Sequence, residues 1–337
     1  INITVEEKPT GEIMAGAGFG TSGGTLGFGI SENNFLGRGI EFGTDLSIST
    51  ETIKGLISLN NPNYKGSNRS LNTSVESTVT DRLIDFGYKS SKTGFSAGSG
   101  FEFYEDLYWN TGVSAYVHDL ETESTASANV KKQEGSYFDL YYNQSFNYDK
   151  RNQKFKTTDG YYSRFSQNIP LISDTYTLTN SYDYKAYNVW LNENVASFAF
   201  HLKSTNTLND ENVKLSNRLY LPSSKLRGFE AGKVGPKDGS IFIGGNYVSS
   251  VNIASTLPQV LPSLQNTNFS VFFDAANIWG IDYNSSLADD SKIRSSVGIA
   301  VEFFTPVGPL SFSFSEPITQ GKNDIEESFR FNLGTTF

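Results

Sequence analysis

Apolar and polar positions alternate along most of this chain, in segments of about ten residues, each closed by a cluster of Gly, Asn, Asp or Pro. In TLGFGI the apolar positions are Leu26, Phe28 and Ile30, with Thr25, Gly27 and Gly29 between them. RGIEFGTDLSI sets Ile40, Phe42, Leu46 and Ile48 against Glu41, Gly43, Asp45 and Ser47. SVGIAVEFF sets Val297, Ile299, Val301 and Phe303 against Ser296, Gly298, Ala300 and Glu302, and PLSFSFSE sets Leu310, Phe312 and Phe314 against Ser311, Ser313 and Ser315. A period of two places successive side chains on opposite faces of a strand, and no segment holds the helical period. Roughly 16 such segments follow one another, an even number within the range of outer-membrane barrels.

The two faces differ in chemistry, and that difference separates the possible β architectures. A β-sandwich interdigitates large side chains between its sheets, whereas the second face here is Gly, Ser, Asn and charge, as a water-filled lumen requires. The pattern predicts an all-β fold, a 16-stranded antiparallel transmembrane β-barrel. Phe28, Phe42, Val297, Ile299, Val301 and Phe312 are expected to face lipid, and Asp45, Glu302 and Ser313 the lumen. Short connections such as NNFLGRG, NPNYKGSN and TTDG alternate with longer polar ones such as residues 121–135, which suggests short turns at one rim and long loops at the other. Ahead of the barrel, INITVEEKP alternates at Ile1, Ile3 and Val5 until Pro9 stops it. Residues 1–9 read as the last strand of a preceding soluble module, and residues 10–337 as the barrel.

Composition agrees with half of every strand facing water. Only 37% of the 337 residues are hydrophobic, below the usual share for a globular core, yet 14% are aromatic. No apolar run is long enough for a transmembrane helix, and no signal peptide opens the chain. The absence of Cys removes disulfides and thiolate metal sites. A net charge of −9 with scattered basic residues argues against nucleic acid as a partner.

Candidate chemistry is sparse. His118 and His201 are the two histidines, and His118 and its neighbour Asp119 point to opposite faces of a strand, so they form no direct catalytic pair. The glycines of GAGFGTSGG precede no helix, so Gly16, Gly18 and Gly20 read as the small lumen face of the first strand rather than a dinucleotide loop. The acids near Asp210 and at Asp289 and Asp290 lack the spacing of a calcium loop. No enzyme activity and no cofactor is expected.

One connection resists a bland reading. About 33 residues, at about 207–239, separate strands ending near Asn206 and starting near Ser240, and loops of that length are usually functional. Within it lies LRGF, Leu226, Arg227, Gly228 and Phe229. Flanked by apolar residues, Arg227 can sit at the tip of a loop folded back into the lumen, where its charge needs a buried acid. NFSVFFDAANIW offers one: Phe269, Val271 and Phe273 take the lipid parity, so Asp274 falls on the lumen side.

LRGF, then FFDAAN, then GIAVEFFTPVGPLSFSFSEP, then the terminal FRFNLGTTF resemble, in this order and spacing, the barrel of the BamA family of outer-membrane-protein assembly factors, over essentially the whole chain. The resemblance implies a bacterial outer-membrane barrel that inserts and folds other barrel proteins. It implies unfolded β-barrel clients, accessory lipoproteins and outer-membrane lipid as partners, and periplasmic POTRA modules whose closing strand INITVEEKP is similar to. It also implies that Arg227 is locked to Asp274. This chain departs from the family's pattern at Ala254, where a second lumen glutamate is expected, and Glu302 is the natural substitute on lumen parity. The last strand, with Phe329, Phe331, Leu333 and Phe337 on the lipid side and Gly334 on the other, resembles the family's terminal signal. It should close the ring against Gly16, Gly18 and Gly20 through a weak seam, because glycines give few cross-strand side-chain pairs. A secretion barrel of the same superfamily and a passive porin share this architecture; a porin gives no reason for the LRGF loop.

Overall fold

The computed structural model describes residues 8–191, 194–258, 267–287, 292–305 and 308–334. Sixteen antiparallel strands form a closed ring, each paired with the next in sequence. The first eight are β1 Gly11–Gly20, β2 Gly23–Phe35, β3 Ile40–Ser49, β4 Thr52–Asn61, β5 Arg69–Arg82, β6 Tyr88–Tyr104, β7 Leu107–Thr122 and β8 Gly135–Asp149. The second eight are β9 Gly160–Ser173, β10 Thr177–Trp190, β11 Asn194–Thr207, β12 Tyr247–Thr256, β13 Thr267–Trp279, β14 Arg294–Thr305, β15 Gly308–Thr319 and β16 Phe329–Gly334. Strand β16 pairs with β15 on one side and β1 on the other, so the sheet closes on itself. Residues 1–7, most of the stretch read as the end of a soluble module, lie outside the described residues, as do Phe337, Asp289 and Asp290.

Side-chain exposure follows the two-residue period. Phe28, Val297 and Ile299 are exposed on the outer wall, while Ser296 and Asp274, one parity away, are fully buried. Register keeps the faces matched across strands: Val297 pairs with Phe273, and Asp274 with Ser296.

Two features differ from the sequence expectation. The rims are not divided into short turns and long loops. On the far rim, opposite the start of β1, residues 21–22 and 50–51 make two-residue connections, whereas near-rim residues 150–159 make a longer one. The long far-rim loop runs to Tyr247 rather than to Ser240, spanning 208–246. Ile241–Phe242, which alternation alone assigns to a strand start, instead pair with Lys237–Asp238 in a small ladder of the loop itself. The last barrel strand begins at Phe329, because Glu326–Glu327 turn aside to pair with Gly228–Phe229 of the same loop.

The lumen wall is also less uniformly polar than the alternation suggests. Between the long loop and the wall at the far rim lie the protein's buried apolar clusters. One joins Leu215, Phe242 and Ile243 of the loop to Phe86, Leu120 and Val130 of neighbouring far-rim elements. The other joins Leu219, Leu221, Leu226, Phe229 and Val234 to Val248 on β12 and to Ala276 and Ile278 on β13. Burying these side chains fully yields about 1.5 to 3 kcal/mol each by area transfer, which offsets the entropy of ordering so long a loop. Away from these clusters the lumen opens into a cavity of about 1430 Å³, bordered by Arg227, Glu302, Gly18 and Gly20.

Candidate functional site: a latched lumen loop and a short seam

The loop tip is built around one carboxylate. Strands β12, β13 and β14 place Asn252, Asp274 and Ser296 side by side on the lumen face through their register. Asp274 has no exposed side-chain surface. Its Oδ2 accepts hydrogen bonds from Arg227 Nε at 2.7 Å and from the Arg227 backbone N–H at 3.1 Å. Its Oδ1 accepts from Arg227 Nη2 at 2.7 Å and from Asn252 Nδ2 at 2.8 Å. A two-pronged guanidinium bond of this kind fixes orientation as well as charge. The guanidinium also lies 3.4 Å over the Phe272 ring, a cation–π contact.

The backbone beside Arg227 is held as tightly. Ser296 Oγ donates to the Arg227 carbonyl at 2.5 Å, and Asn252 Nδ2 donates to the Lys225 carbonyl at 2.9 Å. Gly228 sits at φ +89°, where a Cβ is strained, and a Cβ there would lie 3.2 Å from that of Ser296. Leu226 and Phe229 are buried on either side. Of the sequence-predicted loop residues, Arg227 meets Asp274 directly, while Gly228 lies against Ser296 and Leu226 and Phe229 pack in the apolar cluster beside it.

Glu302 does not join them. It lies opposite Asn268 in the β13–β14 register, six residues from the Ser296–Asp274 level, or about 20 Å along the strand at the usual rise. It is exposed on the open lumen. Parity assigns its face but carries no information about depth, and the residues beside Asp274 on the neighbouring strands are the neutral Asn252 and Ser296. Ala254 pairs with Phe272, the residue under the guanidinium.

Further ion pairs tie the loop down that alternation did not reveal. The Arg218 side chain, fully buried, pairs with Asp282 beyond β13. Arg294 at the start of β14 pairs with Asp324 at 2.8 Å, and Asp324 also accepts the Gly235 N–H of the loop at 2.9 Å. Lys225 reaches Asp183 at 3.3 Å, and Asp183 is bonded to His201 Nδ1 at 2.8 Å. Arg294 has lumen parity and could have been found as Asp274 was; nothing local marks Arg218. Lys214, held in the loop over the Tyr137 ring, is pushed down to about 8 chiefly by burial, against the pull of Asp139, Asp174 and Glu211. His118 is buried beside the Tyr137 ring, while Asp119 accepts from Ser91 on the other parity.

The seam between β1 and β16 is short among the described residues. There it holds three register pairs, Gly18 with Gly334, Phe19 with Leu333 and Gly20 with Asn332. The neighbouring junction of β1 with β2 runs the whole strand, from Gly11 with Glu32 to Gly20 with Gly23. At the seam the two backbones approach so closely that a Cβ on Gly334 would lie 2.5 Å from Gly18 Cα. Gly16 lies beyond these pairs and meets Gly27 of β2. Outside, Phe19 packs against Phe331 with ring centres 5.9 Å apart, and Phe331 in turn against Phe329. At the far rim Thr21 N–H donates to the Phe331 carbonyl at 3.0 Å, and Arg330 Nη1 to Ser22 Oγ at 2.8 Å.

Known proteins share this fold. The Omp85 superfamily domain matches residues 34–337. The chain belongs to the Omp85 superfamily. It is 24% identical over 360 residues to the outer membrane protein assembly factor BamA of Neorickettsia risticii, covering all of this chain and 46% of that protein. The crystal structure of BamA from Haemophilus ducreyi lacking POTRA domains 1-3 superposes with a TM-score of 0.89 at 25% identity, over 98% of this chain and 71% of that one. CdiB from Acinetobacter baumannii shares the fold at a TM-score of 0.57 and 14% identity, over 96% of this chain and 59% of that one. The chain spans about half the length of the curated relatives it matches. With bacterial BamA proteins matching over the whole chain and a BamA structure sharing its fold, the barrel belongs in the bacterial outer membrane.

Proposed function

We propose that this barrel inserts and folds other β-barrel proteins in the outer membrane, and that it does so through the β1–β16 seam. The observation that carries the reading is the contrast, among the described residues, between three register pairs at the seam and a fully paired β1–β2 junction beside it. A short seam can part at modest cost and offer the free edge of β1 to an incoming strand. Backbone pairing then supplies the hydrogen bonds that lipid cannot. The client's folding drives the reaction, so no cofactor and no catalytic residue is required. Partners on this reading are unfolded barrel clients, accessory lipoproteins and outer-membrane lipid, with residues 1–9 closing the last POTRA module of the longer protein.

The latched loop supports this reading over a passive pore. A porin keeps its lumen open, whereas Leu226, Phe229 and their neighbours fill one end of this lumen with buried apolar side chains. The Arg227–Asp274 latch holds the loop against β12–β14, leaving the seam as the wall's weak line. Reconstitution of the full-length protein in liposomes with an unfolded barrel client tests the proposal. Client folding well above that in empty liposomes, with little ion conductance, is expected. Conductance without client folding identifies a pore and defeats the proposal.

A further inference from the structure

The outer wall carries one feature that lipid exposure does not explain. Strand register aligns Ser99, Thr111, Gln144, Gln167, Asn180 and Ser204 in a single row across β6 to β11. All take the outward parity, that of exposed Phe95, Val113, Phe165 and Leu202. From Gln144 to Ser204 the row is hydrogen-bonded: Gln144 Nε2 donates to Gln167 Oε1 at 3.0 Å, Gln167 Nε2 to Asn180 Oδ1 at 2.7 Å, and Asn180 Nδ2 to Ser204 Oγ at 3.5 Å. Apolar rows flank it, with Phe146, Phe165 and Tyr182 on one side and Val113, Tyr142 and Ile169 on the other. Gln167 stands midway along β9, Gly160–Ser173, and therefore near the middle of the apolar band.

Three primary amides on a lipid-facing wall are costly unless their polar atoms find partners. The ladder engages one N–H of each. Among the described residues the second N–H groups and the Gln144 carbonyl are left facing outward, where acyl chains offer neither donor nor acceptor. Side-chain amides in this position favour association between membrane-spanning segments. We propose that this row is a docking face for a second copy of the barrel.

Its chemistry points to a like partner. An amide carries donor and acceptor together, and the row is uncharged, so it complements itself without an ion pair in lipid. Closed homo-oligomers are most often two-fold, and a two-fold axis along the membrane normal preserves depth. It brings Gln167 of one copy against Gln167 of the other, with the two inclined rows crossing there. Strand β9 also lies halfway round the sixteen-strand ring from β1, so a pair docked on this wall leaves both seams free.

Because the 337 residues contain no cysteine, one introduced thiol is the barrel's only one. Phe165→Cys and Ile169→Cys flank the crossing point, and Ile57→Cys on the outward face of β4 is the control. Oxidation of outer membranes carrying the full-length protein should give a disulfide-linked pair of copies at one or both flanking positions and little at Ile57. Adding Gln144→Leu, Gln167→Leu and Asn180→Leu suits the lipid face, so the barrel should still fold, as heat-dependent gel mobility will report. The cross-linked yield should then fall about tenfold, the effect of losing two or three side-chain hydrogen bonds in lipid. Monomer at both flanking positions, equal cross-linking at Ile57, a yield unmoved by the leucines, or an adduct with a different protein each overturns the inference.

Discussion

Replacing Asp274 with Asn keeps the volume of the side chain and removes the charge on which the loop tip is assembled. The carboxylate accepts four hydrogen bonds, three from Arg227 and one from Asn252. An amide can accept at one oxygen alone, and its NH2 must face the Arg227 or Asn252 donors. Breaking a buried pair by removing one partner costs about 3 to 5 kcal/mol. Arg227 keeps 22% of its side chain exposed to the lumen, so water compensates in part and the lower end, about 3 kcal/mol, is expected. At about 1.4 kcal/mol per factor of ten, loop opening becomes a little over a hundredfold more frequent. Amide hydrogen exchange in lipid nanodiscs reads this directly. The reporters are the N–H groups of Arg227, bonded to Asp274, of Glu230, bonded to the Ile325 carbonyl, and of Gly232, bonded to the Leu221 carbonyl. Asp183→Asn is the comparison: Asp183 contacts Lys225 while 30% exposed, and a pair of that kind contributes at most about 1 kcal/mol. Exchange that accelerates less than about threefold in Asp274→Asn, or equally in both variants, refutes the latch.

Other expectations follow from the same geometry. Spin labels at Phe312 and Ser313 should report lipid and water respectively, and Ile299→Lys on the outer wall should destabilise the barrel by about 2 to 4 kcal/mol in a reversible folding titration; equal water access at the two labels contradicts the register. Gly228→Ala should loosen the loop by about 1 to 3 kcal/mol, since it combines a positive φ with the nearby Ser296 Cβ, and the Arg227–Gly232 amides should exchange faster. Lys214, held down to about 8 in the docked loop, binds more protons when the loop is released, where its value is near 10.4. Docking should therefore strengthen as pH rises from about 8 to about 10.4. Exchange measured across that range should slow relative to the intrinsic rate, and Lys214→Met should abolish the trend.

What the sequence made legible was parity, because a two-residue period is local and written into every strand. It puts Asp274 on the lumen side from the sequence alone, and LRGF marks the loop that meets it. Depth is a different quantity. Glu302 and Ser296 share a parity on β14, yet Ser296 touches the loop and Glu302 faces the open lumen six residues away, because register is set by pairing with β13. Ile241 and Phe242 show the complementary failure. Their apolar character reads as a strand, but it serves the core between loop and wall, where no period applies. Arg218 and Asp282 are far apart in the chain and meet through the loop's path, which no local pattern encodes. The polar outer row was hidden for the same reason: Gln144, Gln167 and Asn180 are isolated interruptions until register aligns them.

The central claim, that the seam is the working edge, is tested most directly by closing it. Phe19 and Leu333 are register partners on the outer face, and facing residues in an antiparallel pair have Cα atoms about 4.5 to 5.5 Å apart, within disulfide reach. Phe19→Cys with Leu333→Cys, oxidised in the full-length protein in liposomes, should stop client folding while leaving the barrel folded, and reduction should restore it. Undiminished client folding by the fully cross-linked protein contradicts the account.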